Sequence, residues 1–196
     1  MSRKAEKSKR SDMIARRSGE ENFKYSYRRI EMPMMHSQRP GENGIQDTLF
    51  LMQTMVNRSF LNPLIRRLAA DATVHCDPAD KRCLSASLLA FVQRSMRYVR
   101  DPVGVEALHD PIAIAQEIAR GGKPFGDCDD FSLFLATLMK SVGLPASFKA
   151  VGFNGGNLSH VYVIGPYGCR LDGTRDFWNV RLGELMPETS MMVLQV

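Results

Sequence analysis

The chain predicts an α+β fold: helices first, then a small antiparallel sheet, with an extended basic arm in front. Three observations carry this expectation. Apolar residues recur at helical spacing in several stretches between residues 45 and 142. Short β-like runs joined by glycine-rich turns follow them. The first 44 residues are polar and basic, then punctuated by Met and Pro, without an apolar stripe. The expected organisation is an arm over residues 1–44 and one domain over residues 45–196.

The elements follow in order. Residues 45–71 place Leu51, Met55, Leu61, Leu64, Ile65 and Leu68 at helical spacing and read as one or two helices, broken near Asn62-Pro63. Residues 75–82 read as a turn. Residues 84–99 read as an amphipathic helix with apolar positions 84, 88, 91, 92, 96 and 99. Asp101-Pro102-Val103-Gly104 is a turn. Asp110-Pro111 starts the next helix with proline in its first turn, and Gly121-Gly122 ends it. Asp127 caps a helix that begins at or near Cys128, with Phe131, Phe134, Leu135, Leu138, Met139 and Val142 on its apolar face. Gly143 stops it. Strand-like runs then cover residues 146–153, 159–164 and 168–171.

A chain of 196 residues, 44% apolar and 24% charged, can bury a core of its own. No apolar run is long enough to span a bilayer, and no apolar segment follows the N-terminal basic residues. Neither a membrane span nor a secretory signal is therefore expected, and the compartment is expected to be reducing. Residues 1–30 hold ten Lys/Arg against four acids, so +6 lies in the arm and −1 in the remaining 166 residues of a chain of net charge +5. Such an arm suits an acidic protein groove, an anionic membrane or a nucleic acid, or serves simply as a solubilising segment.

Four cysteines stand at 76, 83, 128 and 169. His75-Cys76 with Cys83 points toward metal, but the second close ligand pair of a zinc site is missing. The spacing also permits a disulfide, which a reducing compartment disfavours. Cys76 and Cys83 are thus expected as ordinary half-buried thiols in a loop, with no metal and no cofactor.

The chemistry centres on Cys128, His160 and Asp172. A thiolate is the nucleophilic form of cysteine, and a helix N-terminus favours it. The flanking Asp127, Asp129 and Asp130 oppose that effect, and they predict a helix start that is not deeply buried. His160 is the only histidine after the helix, and it lies with Asp172 on the two arms of one hairpin. A three-residue loop over 165–167 pairs Ile164 with Gly168 and brings His160 opposite Asp172. A two-residue loop places His160 opposite Gly173 instead. The catalytic reading therefore requires an odd loop or a bulge. Asp172 can then hold the imidazole in one tautomer while it serves the thiol as base.

These residues carry a family resemblance. Gly126-Asp127-Cys128-Asp129-Asp130-Phe131, the helix end Val142-Gly143-Leu144-Pro145-Ala146, Ser159-His160-Val161-Tyr162-Val163 and Leu171-Asp172-Gly173-Thr174 resemble the transglutaminase-like cysteine-protease superfamily. The stretch from Met96 to Glu106, with Asp110-Pro111, resembles the version found in tailed-bacteriophage and prophage proteins. The likeness covers about residues 84–176. It implies a papain-like α+β core, Cys128 as nucleophile, His160 as base, Asp172 as orienter, and acyl-enzyme chemistry on amides. Relatives usually read Trp-Val-Pro-Leu-Asp-Pro-Thr at the last motif. Here Gly168-Cys169-Arg170-Leu171-Asp172-Gly173-Thr174 lacks the tryptophan and both prolines.

The leading expectation is a thiol hydrolase, a peptidase or amidase acting on a protein or peptide, in the cytoplasm of a bacterial host. The second is a phage virion structural or adaptor protein that uses the same fold as a scaffold and grips neighbouring subunits through residues 1–44. The third, ranked last, is a nucleic-acid-binding module acting through the basic arm.

Overall fold

A computed structural model describes residues 34–37, 42–102, 106–153, 156–174 and 188–196. The elements run β1 (Met34–Ser37), α1 (Glu42–Ser59), α2 (Pro63–Thr73), α3 (Lys81–Ser95), β2 (Arg97–Tyr98), β3 (Glu106–His109), α4 (Pro111–Ala119), β4 (Phe125–Gly126), α5 (Cys128–Ser141), β5 (Ser147–Phe153), β6 (Leu158–Ile164), β7 (Arg170–Leu171) and β8 (Glu188–Gln195). Among the described residues, all five α-helices precede the four strands of the main antiparallel sheet, while the short strands β1 to β4 lie before and between the helices. No helix among the described residues is long and apolar enough to cross a membrane.

The caps explain most helix starts. Asn62 accepts from the backbone N–H of Leu64 at 2.9 Å, with Pro63 opening α2. Asp110 does the same for Ile112 at 2.7 Å ahead of Pro111. Asp80 accepts from Arg82 and Cys83, so α3 begins at Lys81 rather than 84. It ends at Ser95, because Met96 turns extended and Arg97-Tyr98 pair with Phe125-Gly126 as a short parallel ladder. The turn expected at 101–104 falls partly outside the described residues.

Helix α5 sits at the centre. It packs on α1, α2, α3 and β6, and every residue from Asp129 to Met139 is buried. The expected one-sided apolar face is thus too narrow: Leu133 and Ala136, on the other side, are also fully enclosed. Each fully buried Phe or Leu contributes about 1.5–3 kcal/mol, so α5 anchors the core. Its polar residues find partners inside. Ser132 Oγ donates to the Val161 carbonyl at 3.1 Å, and Thr137 Oγ1 to that of Leu133 at 2.7 Å.

The main sheet has the order β7-β6-β5-β8, all antiparallel. Phe148, Ala150, Val161, Val163 and Leu171 face the core. Lys149, His160, Tyr162 and Arg170 lie on the opposite face by alternation. The β6–β7 connection is five residues, 165–169, not three: Ile164 pairs with Arg170 and Val163 with Leu171. A 3-10 turn over Pro166–Gly168 makes it, with Tyr167 and Gly168 both at positive φ. Five is still odd. The two-residue slip preserves the face, so His160 and Asp172 meet diagonally instead of directly.

Three further expectations are corrected. Cys76 and Cys83 are not free loop thiols: they form a disulfide with Cα atoms 5.7 Å apart. The cap at Asp80 turns the chain back so that α3 presents Cys83 to the end of α2. The domain boundary at 44 also moves. Met34–Ser37 pairs with β3, and α1 begins at Glu42, so the body reaches back into the expected arm. Residues 1–33 and 38–41 of that arm lie outside the described residues. Finally, the acids after Cys128 are buried, with Asp130 wholly enclosed.

Candidate active site

Cys128 is the first residue of α5. Asp127 caps it by accepting from the N–H of Asp129 at 3.1 Å. The short β2–β4 ladder fixes the approach, and Gly126 is required there: a Cβ at 126 would collide with the Asp130 carboxylate. That carboxylate folds back to take the His109 N–H at 2.8 Å and His109 Nδ1 at 2.7 Å. His109 is itself buried, edge-on to Phe125. Burial disfavours its cationic form, but Asp130, with Asp101 and Asp127 behind it, outweighs burial and raises the imidazole above its ordinary 6.5. The two hydrogen bonds from His109 satisfy the Asp130 carboxylate, and this is how an acid two residues from Cys128 tolerates full enclosure.

His160 lies on β6, just after a bulge that skips Ser159. Its Nε2 stands 2.9 Å from Asp172 Oδ2. Asp172 follows β7 and is only 4% exposed. Thr174 donates both its backbone N–H, at 3.2 Å, and its hydroxyl, at 2.9 Å, to Oδ1. Burial alone would raise this carboxyl. The His160 hydrogen bond and charge, and then the Thr174 donors, prevail and hold it at about 2. Gly173 permits the turn, since a Cβ there would press on the Phe131 ring at 3.0 Å.

The structure thus joins His160 to Asp172 as expected. Cys128 hydrogen-bonds Asp129 Oδ1 at 3.5 Å rather than His160. Its link to the hairpin is a backbone hydrogen bond from Val161, the residue next to His160. Burial first, then Asp129 and Asp127, push the thiol well above its usual value, and the Val161 bond opposes them only in part. A helix N-terminus favours an anion by about 0.3–1 kcal/mol, which burial and two adjacent carboxylates override. Cys128 therefore rests as a neutral thiol.

Several residues escaped the sequence reading. Arg170 Nη2 reaches Asp172 Oδ2 at 3.1 Å, and Nη1 reaches Glu188 Oε1 at 2.9 Å. Its guanidinium lies 4.1 Å from the centre of the Tyr162 ring. Glu188 also accepts from the Tyr162 hydroxyl at 2.9 Å and from Lys149 Nζ at 2.7 Å. Alternation along β6 and β7 could have placed Tyr162 and Arg170 beside His160, but Glu188 arrives from a strand that showed no turn signal. Tyr98 is carried to the helix start by the β2–β4 ladder. Burial raises its phenol, Arg100 opposes, and Cys128 and Asp127 add to the rise. Asp127, Cys128 and Asp129 place one potential ligand atom each within 4.8 Å of one another, but the sulfur there is the group the catalytic reading needs.

Comparison with protein-family models, curated proteins and solved structures yields no match.

Proposed function

We propose that the protein is a transglutaminase-like thiol hydrolase, a peptidase or amidase working through Cys128, His160 and Asp172 on a papain-like scaffold. The observation that carries this reading is the buried His160–Asp172 hydrogen bond, presented next to the backbone that touches the Cys128 thiol at a capped helix start.

In this reading Cys128 starts as a protonated thiol. Asp172 accepts the proton on His160 Nε2, which leaves Nδ1 as the basic nitrogen. Substrate binding brings the Cys128 thiol and Nδ1 together. As sulfur attacks the amide carbon, Nδ1 takes its proton and the carbonyl oxygen becomes an oxyanion. The Cys128 backbone N–H at the helix start faces that charge, with the Tyr98 hydroxyl as a further donor. The imidazolium protonates the departing amine, and a thioester remains. Water, or a second amine, attacks the thioester with Nδ1 again as base, and the thiol is restored.

A virion structural or adaptor role is the second reading. It draws on the raised Cys128 thiol, which lowers the nucleophile's reactivity, and on the basic N-terminal segment.

Release of a fluorogenic amine from short peptide amides separates the two. The hydrolase reading expects Cys128→Ala to remove about a thousand-fold or more of the rate with the fold intact. An added primary amine that diverts the product reports transfer. Equal rates in the wild type and Cys128→Ala refute the hydrolase.

A further inference from the structure

The turn between α2 and α3 gathers a second set of soft donors, away from the catalytic residues. Asp80 starts α3 so that Cys83 and Ser87, four residues apart, share one helical face. That face looks onto the end of α2, where Cys76 is held by its N–H bond to the Thr73 carbonyl at 2.9 Å. His75, Cys76 and Cys83 each place a ligand atom within 4.8 Å of the others. Ser87 Oγ lies 3.1 Å from His75 Nε2 and 3.3 Å from Cys76 Sγ, so it ties the imidazole to the sulfur pair. His75 is exposed, and both cysteines are half-buried, so small molecules reach them.

A covalent clip between two helices needs two cysteines. It does not need an imidazole held on the same side by a serine. Two sulfurs and one imidazole nitrogen are the donor set of an open zinc site, with water as fourth ligand. Tetrahedral zinc with bonds of about 2.3 Å to sulfur separates two thiolates by roughly 3.8 Å. The three donors already lie within 4.8 Å of one another, close to that separation.

We propose that His75, Cys76 and Cys83 form a thiol–disulfide switch whose reduced state binds Zn2+. The two states exclude each other. Oxidation by a low-molecular-weight disulfide RSSR joins Cys76 Sγ to Cys83 Sγ. The thiols surrender two electrons and two protons, and RSSR becomes two RSH. Reduction reverses this, and Zn2+ then displaces the two thiol protons. A reducing compartment holds the metal form, and an oxidising one the disulfide.

The test uses the full chain carrying Cys128→Ser and Cys169→Ser, which removes the other thiols and the Asp127–Cys128–Asp129 cluster as a thiolate site. Co2+ is titrated into anaerobically reduced protein. One equivalent is expected to give sulfur-to-cobalt charge-transfer absorption, and Zn2+ to abolish it. Prior treatment with oxidised glutathione is expected to remove both the absorption and the titratable thiols. Adding Cys83→Ser is expected to erase the bands, and adding His75→Ala to weaken Co2+ binding about ten-fold or more with an unchanged circular dichroism spectrum. Should Cys83→Ser fail to fold, the His75→Ala arm decides alone. Absence of the bands in reduced protein, or bands indifferent to His75→Ala, overturns the metal site. Thiols that stay reduced in oxidised glutathione overturn the switch.

Discussion

Arg170 and His160 share one oxygen. Arg170 Nη2 lies 3.1 Å and His160 Nε2 2.9 Å from Asp172 Oδ2. The Asp172 carboxylate is therefore held from two sides, and Arg170 is in turn fixed by Glu188 and by stacking on Tyr162.

Arg170→Met is expected to free Asp172 from one partner and leave Glu188 with fewer. Its guanidinium is partly exposed, so the loss of stability should be modest, about 1–2 kcal/mol by chemical denaturation. Any amidase rate should fall more than the affinity for substrate, because the imidazole's orientation is loosened. Arg170→Lys keeps the charge but cannot span both acids, and should recover only part of the rate. A kcat unchanged in Arg170→Met removes the positioning role.

Asp172 titrates at about 2, below its ordinary 3.8. A depressed carboxyl adds stability that is complete above about pH 4 and is lost as the pH falls from there to about 2. The contribution is about 2 kcal/mol at neutral pH. Denaturant unfolding followed across acid pH should show this step in the wild type, and Asp172→Asn should lack it. Parallel acid profiles would disprove the assignment.

His109 behaves with the opposite sign. Its folded value is raised, so the stabilisation is full below about pH 6.5 and is lost as the pH climbs through the folded value. Asp130, Asp101 and Asp127 are the charges that act on it. His109→Gln leaves Asp130 buried without its cation and should cost about 3–5 kcal/mol at slightly acid pH. The difference from wild type should shrink in alkali. A cost that does not vary with pH would mean that His109 is neutral.

Cys128 is held protonated by burial first and Asp129 second. At neutral pH, iodoacetamide should label exposed Cys169 faster than Cys128. Asp129→Asn should accelerate Cys128 labelling about three- to ten-fold, as read by peptide mass spectrometry. An unchanged rate would show that the Asp129 charge does not act on the sulfur.

Much of this was legible in the chain. The cap at Asp127 and the proline-marked helix starts at Asn62-Pro63 and Asp110-Pro111 rest on residues next to one another, so local sequence suffices to find them. The chain left the β6–β7 loop open between two and three residues, and the structure makes it five. A five-residue loop keeps His160 and Asp172 on one face as a three-residue loop would, although the register itself slipped by two. What stayed hidden depends on partners far along the chain. β8 is recognisable only through its pairing with β5, and Glu188 joins the site only through β8. Asp130 reads as a solvent-facing acid until His109, twenty-one residues earlier, is seen to neutralise it. The Cys76–Cys83 bond turns on where α3 begins, and one cap at Asp80 decides that.

The most direct test of the central claim is capture of the acyl-enzyme. The full chain is mixed with p-nitrophenyl acetate, nitrophenol release is followed, and the acetylated residue is mapped by mass spectrometry. A burst of nitrophenol is expected with the acetyl group on Cys128, and loss of both in His160→Ala. Acetylation confined to Cys169 or surface lysines, at a rate indifferent to His160→Ala, would contradict it.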